Sequence, residues 1–162
     1  MRGEAGSRDA GFPKGGGGVA EVTGTRDKSR DYPIIVTAAV IRRGNKVLVA
    51  RREGGDLAGR WEFPGGKLEP GESPEACLAR EIKEELDLEV RVGDIFAVVY
   101  HRYQTGPILL LAYECVPVTA GRPEETLRSR DGVRWVSPEE LTRLDLAPAD
   151  VPIAAKLTRQ TP

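Results

Sequence analysis

Several residue types that mark common functions are scarce in this chain. Only two cysteines occur in 162 residues, Cys77 and Cys115, far apart and outside any C-x-x-C pair. Neither a zinc knuckle nor a disulfide framework can be built from them, and both are expected to be reduced packing residues. The single histidine, His101, has no histidine or cysteine companion, so a zinc site is not expected there, and its place near a hairpin predicts a surface position. Neither charge sign dominates: 24 Lys and Arg face 25 Asp and Glu, for a net charge of −1. That balance gives no broad pull toward a nucleic-acid polymer or a membrane surface. No apolar run approaches the ~18 residues of a membrane span, and the N-terminus lacks the apolar middle of a secretory signal. A soluble, cytoplasmic domain with a sizeable core is expected, monomer or homodimer, whose main activity is not polymer binding.

What the chain does have is one dense local pattern. Gly65-Gly66-Lys67-Leu68-Glu69-Pro70-Gly71-Glu72 makes a glycine-rich turn, and Ser73-Pro74 adds a serine cap and a proline suited to the first turn of a helix. The spacing predicts a helix from about Pro74 to Leu86. Leu78, Ala79, Ile82 and Leu86 form its apolar stripe, while Glu81, Glu84 and Glu85 stand at i, i+3 and i+4 on the neighbouring side. Like charges so spaced repel by roughly 0.2–0.5 kcal/mol per pair. Two readings are open: a solvated acidic face, or a site for a hard divalent cation, Mg2+ or Mn2+, that prefers carboxylate, water and phosphate oxygens.

Around that pattern the chain divides in two. Residues 1–31, glycine-rich with Phe12 as their only aromatic, cannot bury enough apolar surface to offset the entropy of ordering, so they are expected to form a disordered tail. Residues 32–162 are expected to form the domain. Ile34 to Ile41 reads as a buried strand, and Lys46 to Arg51 as its hairpin partner across Gly44-Asn45. Arg51-Arg52, next to a loop through Gly54, Gly55 and Gly59, suits phosphate oxygens or plain surface charge. Glu62 lies at a strand end, and Lys67 could meet a phosphate as a point charge. Past the helix, Leu88–Val92, Ile95–Tyr100, Ile108–Val118 and Val133–Val136 read as strands, with Gly121 to Arg130 as a mobile polar loop. Ser137-Pro138 opens a short helix, and Ala147 to Pro152 leads into a last one over Ile153 to Leu157. Strand, strand, helix, several strands and a closing helix compose an α+β fold.

The spacing Gly66, five residues, Glu72, seven residues, then Arg80-Glu81-Ile82-x-Glu84-Glu85-x-Asp87-Leu88 resembles the Nudix hydrolase signature, G-x5-E-x7-R-E-U-x-E-E-x-G-U with U aliphatic. Asp87 replaces the last glycine, which leaves the helix in a left-handed turn, and aspartate tolerates that conformation better than most residues. The resemblance implies a mixed β-sheet sandwiched between α-helices. It also implies hydrolysis of a nucleoside diphosphate linked to a further group. In the MutT-like branch this is water attacking a triphosphate to give monophosphate and pyrophosphate, a nucleotide-pool sanitation reaction. By that resemblance Glu81, Glu84, Glu85 and the Gly66 carbonyl hold the metal, and Glu72 pairs with Arg80 to support the turn. Arg52 holds a phosphate, Glu62 orients the nucleoside and Tyr103 stacks on the base, though Tyr103 would equally serve as a core or surface tyrosine. Asp150 is expected either to read the base or simply to cap the last helix.

An ionised Asp150 accepts hydrogen bonds only, which favours an exocyclic amino group, whereas a protonated one also donates. Cytidine-type triphosphates are therefore the first expectation and oxidised purine nucleotides the second. Many relatives carry a general-base glutamate where this chain has Ser129; Asp131, Glu124, Glu125 or a signature glutamate could take its place. A nucleotide-binding module without catalysis, or a hydrolase of another nucleoside diphosphate derivative, would use the same residues.

Overall fold

The computed structural model describes residues 32–118, 127 and 132–160. The expectations for the tail at 1–31, for Ser129, Asp131, Glu124 and Glu125, and for all of the 121–130 loop except Leu127 lie outside these residues. Strand β1 (Ile34–Arg43) is the hub of the sheet. It runs parallel to β6 (Gly106–Pro117) on one side and antiparallel to β4 (Gly65–Lys67) and β2 (Lys46–Arg51) on the other. Strand β5 (Val90–Tyr103) extends the sheet beyond β6, while β3 (Trp61–Glu62) and β7 (Val133–Val136) flank β2. The sheet is thus mixed, with seven strands among the described residues.

Both faces of β1 are covered, which is why its sequence is apolar without alternation. Ala39 and Ile41 pack with Leu48, Tyr113 and Cys115 under helix α1 (Pro74–Leu86). Ala38 and Val40 point the other way, as the period of two requires, onto α2 (Pro138–Leu141) and α3 (Val151–Arg159). Helix α1 forms over the predicted residues because its ends are set locally. Ser73 accepts the Ala76 N–H, Pro74 occupies the first turn, and Asp87 closes the helix at φ 51° with its N–H bonded to the Lys83 carbonyl. Lys83 Nζ also lies 2.9 Å from the Asp87 carboxylate, so the residue that departs from glycine carries its own support. Cys77 joins Leu78, Ile82 and Leu86 on the buried stripe, and Ala79 is only half-buried.

Two expectations need correction. The strands predicted on either side of Gly93-Asp94 are one continuous strand, β5, whose register with β6 shifts between Val92 and Ile95 and again between Ile95 and Ala97. The extra residues are absorbed as an irregularity in the ladder instead of ending it. Asp150 does not cap α3 with its side chain; it sits in a 3-10 turn (Pro148–Asp150) and sends its carboxylate elsewhere.

Among the described glycines, the one pressed closest against backbone is Gly65, where β4 meets β1. A Cβ at Gly65 would collide with the Thr37 carbonyl oxygen, whereas one at Gly54 would meet nothing within 4 Å. Gly65→Ala should therefore cost about 1–3 kcal/mol of unfolding free energy in urea titrations, and Gly54→Ala should stay within about 0.5 kcal/mol of wild type. Equal effects would contradict this packing.

Candidate active site

The β1–β4 contact opens into a cleft of about 1250 Å³ whose lining includes Gly66, Glu81, Glu85, Arg52, Glu62, Lys67, Tyr103 and Asp150. Of the residues singled out in the sequence, Glu84, Glu72 and Arg80 stand outside that lining. Arg80 grips Glu72 with two nitrogens, at 2.8 and 3.1 Å. Its Nη1 also reaches Glu81 at 2.9 Å and Glu84 at 3.3 Å. Glu72 in turn accepts the Glu69 N–H at 2.8 Å. The Arg80 hydrogen bonds first, and the Glu69 amide second, hold the Glu72 carboxyl down at about 2. This pair ties the turn before α1 to the helix itself.

Glu85 has the opposite environment. Burial of its carboxyl, then the neighbouring Glu81 and Glu62 carboxylates, push it up to about 7, against a hydrogen bond from the Gly65 backbone. Glu81 lies so close over Gly66 that a Cβ there would occupy the space of its carboxyl carbon. These oxygens suit a hard divalent cation: a carboxylate held against a backbone turn, and beside it an excess of negative charge that a cation would relieve. Three carboxylates gathered round one point are not what the side chains show, however. Among the described residues no group of three or more His, Cys, Asp or Glu is arranged to hold a metal ion. The Arg80 guanidinium takes an oxygen from each of Glu81 and Glu84, and the Glu84 side chain is 60% exposed.

The remaining residues form a second grouping. Arg52 Nη1 lies 3.0 Å from Glu62, whose carboxyl is pushed up by burial and partly restored by that arginine. Lys67 is exposed at the cleft. Tyr103 is half-buried, with its ring edge-on to His101 and its hydroxyl accepting the Ala149 N–H at 3.2 Å. Asp150 is only 6% exposed, and one of its oxygens accepts the Phe63 N–H at 2.8 Å. Burial, far more than any neighbouring charge, pushes Asp150 up to about 7. Sequence reasoning missed Phe63 as its partner, and also missed Thr37, whose hydroxyl donates to the Gly66 carbonyl at 3.2 Å. Thr37 left one signal, as the only polar residue in the run Ile34 to Ile41.

Fold and cleft define an α+β protein that sets an acidic helix against a glycine turn at the mouth of a pocket. The chain belongs to the Nudix family: residues 31–159 match the NUDIX domain. It is 42% identical over 123 residues to a CTP pyrophosphohydrolase of Escherichia coli K12, covering 74% of this chain and 87% of that one. It is 44% identical over 135 residues to a putative 8-oxo-dGTP diphosphatase 2 of Mycobacterium tuberculosis, covering 77% and 88%. Among solved structures, the E. coli ORF135 protein superposes with a TM-score of 0.63 at 36% identity, covering 78% of this chain and 89% of that one. The MutT protein of methicillin-resistant Staphylococcus aureus 252 gives 0.62 at 37%, covering 80% and 98%. The expected family and fold class are both borne out. No helix among the described residues is long and apolar enough to cross a membrane.

The buried Asp150 has a consequence for stability. The folded protein keeps its proton up to about pH 7, while the unfolded chain releases it near the ordinary value of 3.8, so folding takes up a proton between these values. Its contribution to stability is thus lost progressively as pH rises across that window and is level above it. In melting curves from pH 4 to 8, the stability of wild type relative to Asp150→Asn should fall up to about pH 7 and then stay constant. A difference independent of pH would show that Asp150 titrates normally.

Proposed function

We propose that this protein is a divalent-metal-dependent pyrophosphohydrolase that cleaves nucleoside triphosphates to monophosphate and pyrophosphate. Cytidine-type triphosphates are its first substrates and oxidised purine nucleotides its second. The observation that carries this reading is that Gly66, Glu81 and Glu85 line one cleft with Asp150, so the residues assigned here to the phosphates and to the base lie along a single pocket. The names of the relatives, a CTP pyrophosphohydrolase and an 8-oxo-dGTP diphosphatase, support both substrate classes.

In this reading Glu81, Glu84, Glu85 and the Gly66 carbonyl hold Mg2+, with Mn2+ as a substitute. When bound, the cation neutralises the phosphate chain and acidifies water. Arg52, drawn away from Glu62 by a substrate phosphate, offers it a guanidinium fork, and Lys67 adds a point charge. Glu62, freed from Arg52, orients the nucleoside. The general base is drawn from the signature carboxylates. Glu72 and Arg80 support the turn from outside the pocket, as residues behind a metal site commonly do. Tyr103 presents its ring to the base while its hydroxyl steadies the turn that carries Asp150.

Asp150 has one oxygen engaged by Phe63 and leaves the other for the base. With a carboxyl near 7, both protonation states are populated at neutral pH. The ionised form accepts from an exocyclic amino group such as that of cytosine, and the neutral form donates. One residue thereby serves two kinds of base.

A Mg2+-dependent pyrophosphate-release assay over canonical, methylated and oxidised triphosphates tests this reading, with sugar and dinucleoside diphosphates alongside. Turnover should be confined to triphosphates, and Glu85→Gln should lower it by about 10²-fold or more without loss of folding. Tight binding without turnover would instead indicate a nucleotide-sensing module. Glu84→Gln is the sharper case because Glu84 faces Arg80; unchanged turnover would remove it from the site.

A further inference from the structure

Among the described residues β5 is the edge of the sheet, with β6 as its only strand neighbour. Such an edge is usually blunted by charge or covered, because its free backbone groups can pair with another strand. Here three of its residues are large, apolar and about half exposed: Ile95 at 49%, Val98 at 56% and Tyr100 at 58%. Across the ladder they face Tyr113, Leu111 and Leu109, alternate residues of β6, so all three stand on the α1 side of the sheet, where the helix leaves them bare. The extra residue at the irregularity, Phe96, is buried in the core on the other face, and its carbonyl accepts from Lys156. Asp94 and Arg102 stand exposed toward opposite ends of the apolar row, and neither has an ion-pair partner among the described residues.

We propose that β5 is a docking surface for a second copy of this chain, the two strands pairing antiparallel about a two-fold axis at Val98. Strand β6 serves as the ruler. Tyr100, opposite Leu109, and Ile95, opposite Tyr113, lie equally far to either side of Val98, opposite Leu111. A two-fold axis there sets Val98 against itself and Tyr100 against Ile95 of the second copy, so each large exposed apolar residue of β5 gains an apolar partner. Arg102, opposite Pro107, lies four positions out from Val98, and Asp94, between the residues facing Tyr113 and Cys115, lies about three on the other side. Antiparallel pairing therefore brings each Arg102 to within about one residue, ~3.4 Å, of Asp94 of the second copy. A parallel pair would instead put Arg102 beside Arg102 and Asp94 beside Asp94, so charge complementarity selects the antiparallel one.

Sedimentation equilibrium of the full chain over about 1–500 μM, beside melting curves, tests the proposal. Wild type should pass from monomer to dimer mass, and Val98→Lys should raise the dimer dissociation constant by about 10-fold or more at an unchanged melting temperature. Arg102→Glu and Asp94→Lys should each weaken the dimer, and the two together should recover it. The axis itself is read by cross-linking, because a residue opposite its own copy has its Cα atoms about 4.5–5.5 Å apart, within disulfide reach. Val98→Cys should form a linked dimer on oxidation, whereas Val116→Cys, 52% exposed but on β6, should not. Cys77 and Cys115 are buried and do not compete. Should Val98→Lys fold poorly, the cross-link and the charge exchange decide. Wild type monomeric throughout that range, Val98→Lys dimerising as wild type does, a charge exchange that recovers nothing, or equal cross-linking at both positions would overturn the proposal.

Discussion

The structure depends on a steric constraint: one glycine held where backbone leaves no room for a side chain, and the next held where the Glu81 carboxyl fills that room. Gly65 lies against the backbone of β1 at Thr37, and Gly66 lies under the Glu81 carboxyl. The acidic face of α1 can therefore rest directly on a turn of main chain. Register does the rest, because β4 pairs with the middle of β1, the strand buried on both faces, and inherits its rigidity. A helix carboxylate is thereby seated directly on the glycine turn.

Electrostatics then divides the carboxylates of this region into two kinds. Glu72, bonded to a guanidinium and an amide, is held at about 2, while Glu85, buried and then crowded by other carboxylates, is pushed up to about 7. The first is stable as an anion and serves as a structural tie. The second is an acid whose ionised form is disfavoured by its surroundings, which is the kind of perturbation that accompanies a functional site. Asp150 reaches a similar value, again chiefly through burial, but without a crowd of carboxylates around it. It is linked by its Phe63 hydrogen bond to the segment that leads into the glycine turn, so the two parts of the cleft are joined through backbone.

What the sequence made legible was what is set locally. Helix α1 was readable to the residue because Ser73, Pro74 and Asp87 mark its ends within the chain's own next few positions. The Glu72–Arg80 pairing was implied by the Nudix resemblance, and the two side chains do meet. What escaped was set at long range. Gly93-Asp94 looks like a break until β6 supplies a ladder that absorbs the irregularity. The parallel pairing of β1 with β6 leaves no local mark. Asp150 looks like a helix cap because its true partner, the Phe63 N–H, lies 87 residues away. Arg80 was expected to pair with Glu72, but its second hold, on Glu81 and Glu84, depends on rotamers that spacing does not fix.

The most direct measurement is the Mg2+-dependent turnover of Gly66→Ala beside its melting curve. The added methyl meets the mobile end of the Glu81 side chain instead of backbone, so the fold can accommodate it by moving that carboxyl away. A melting temperature close to wild type, with turnover down by about 100-fold or more, is the expected result. Full turnover in a normally folded Gly66→Ala protein would contradict the claim that a carboxylate held against the glycine turn makes the site.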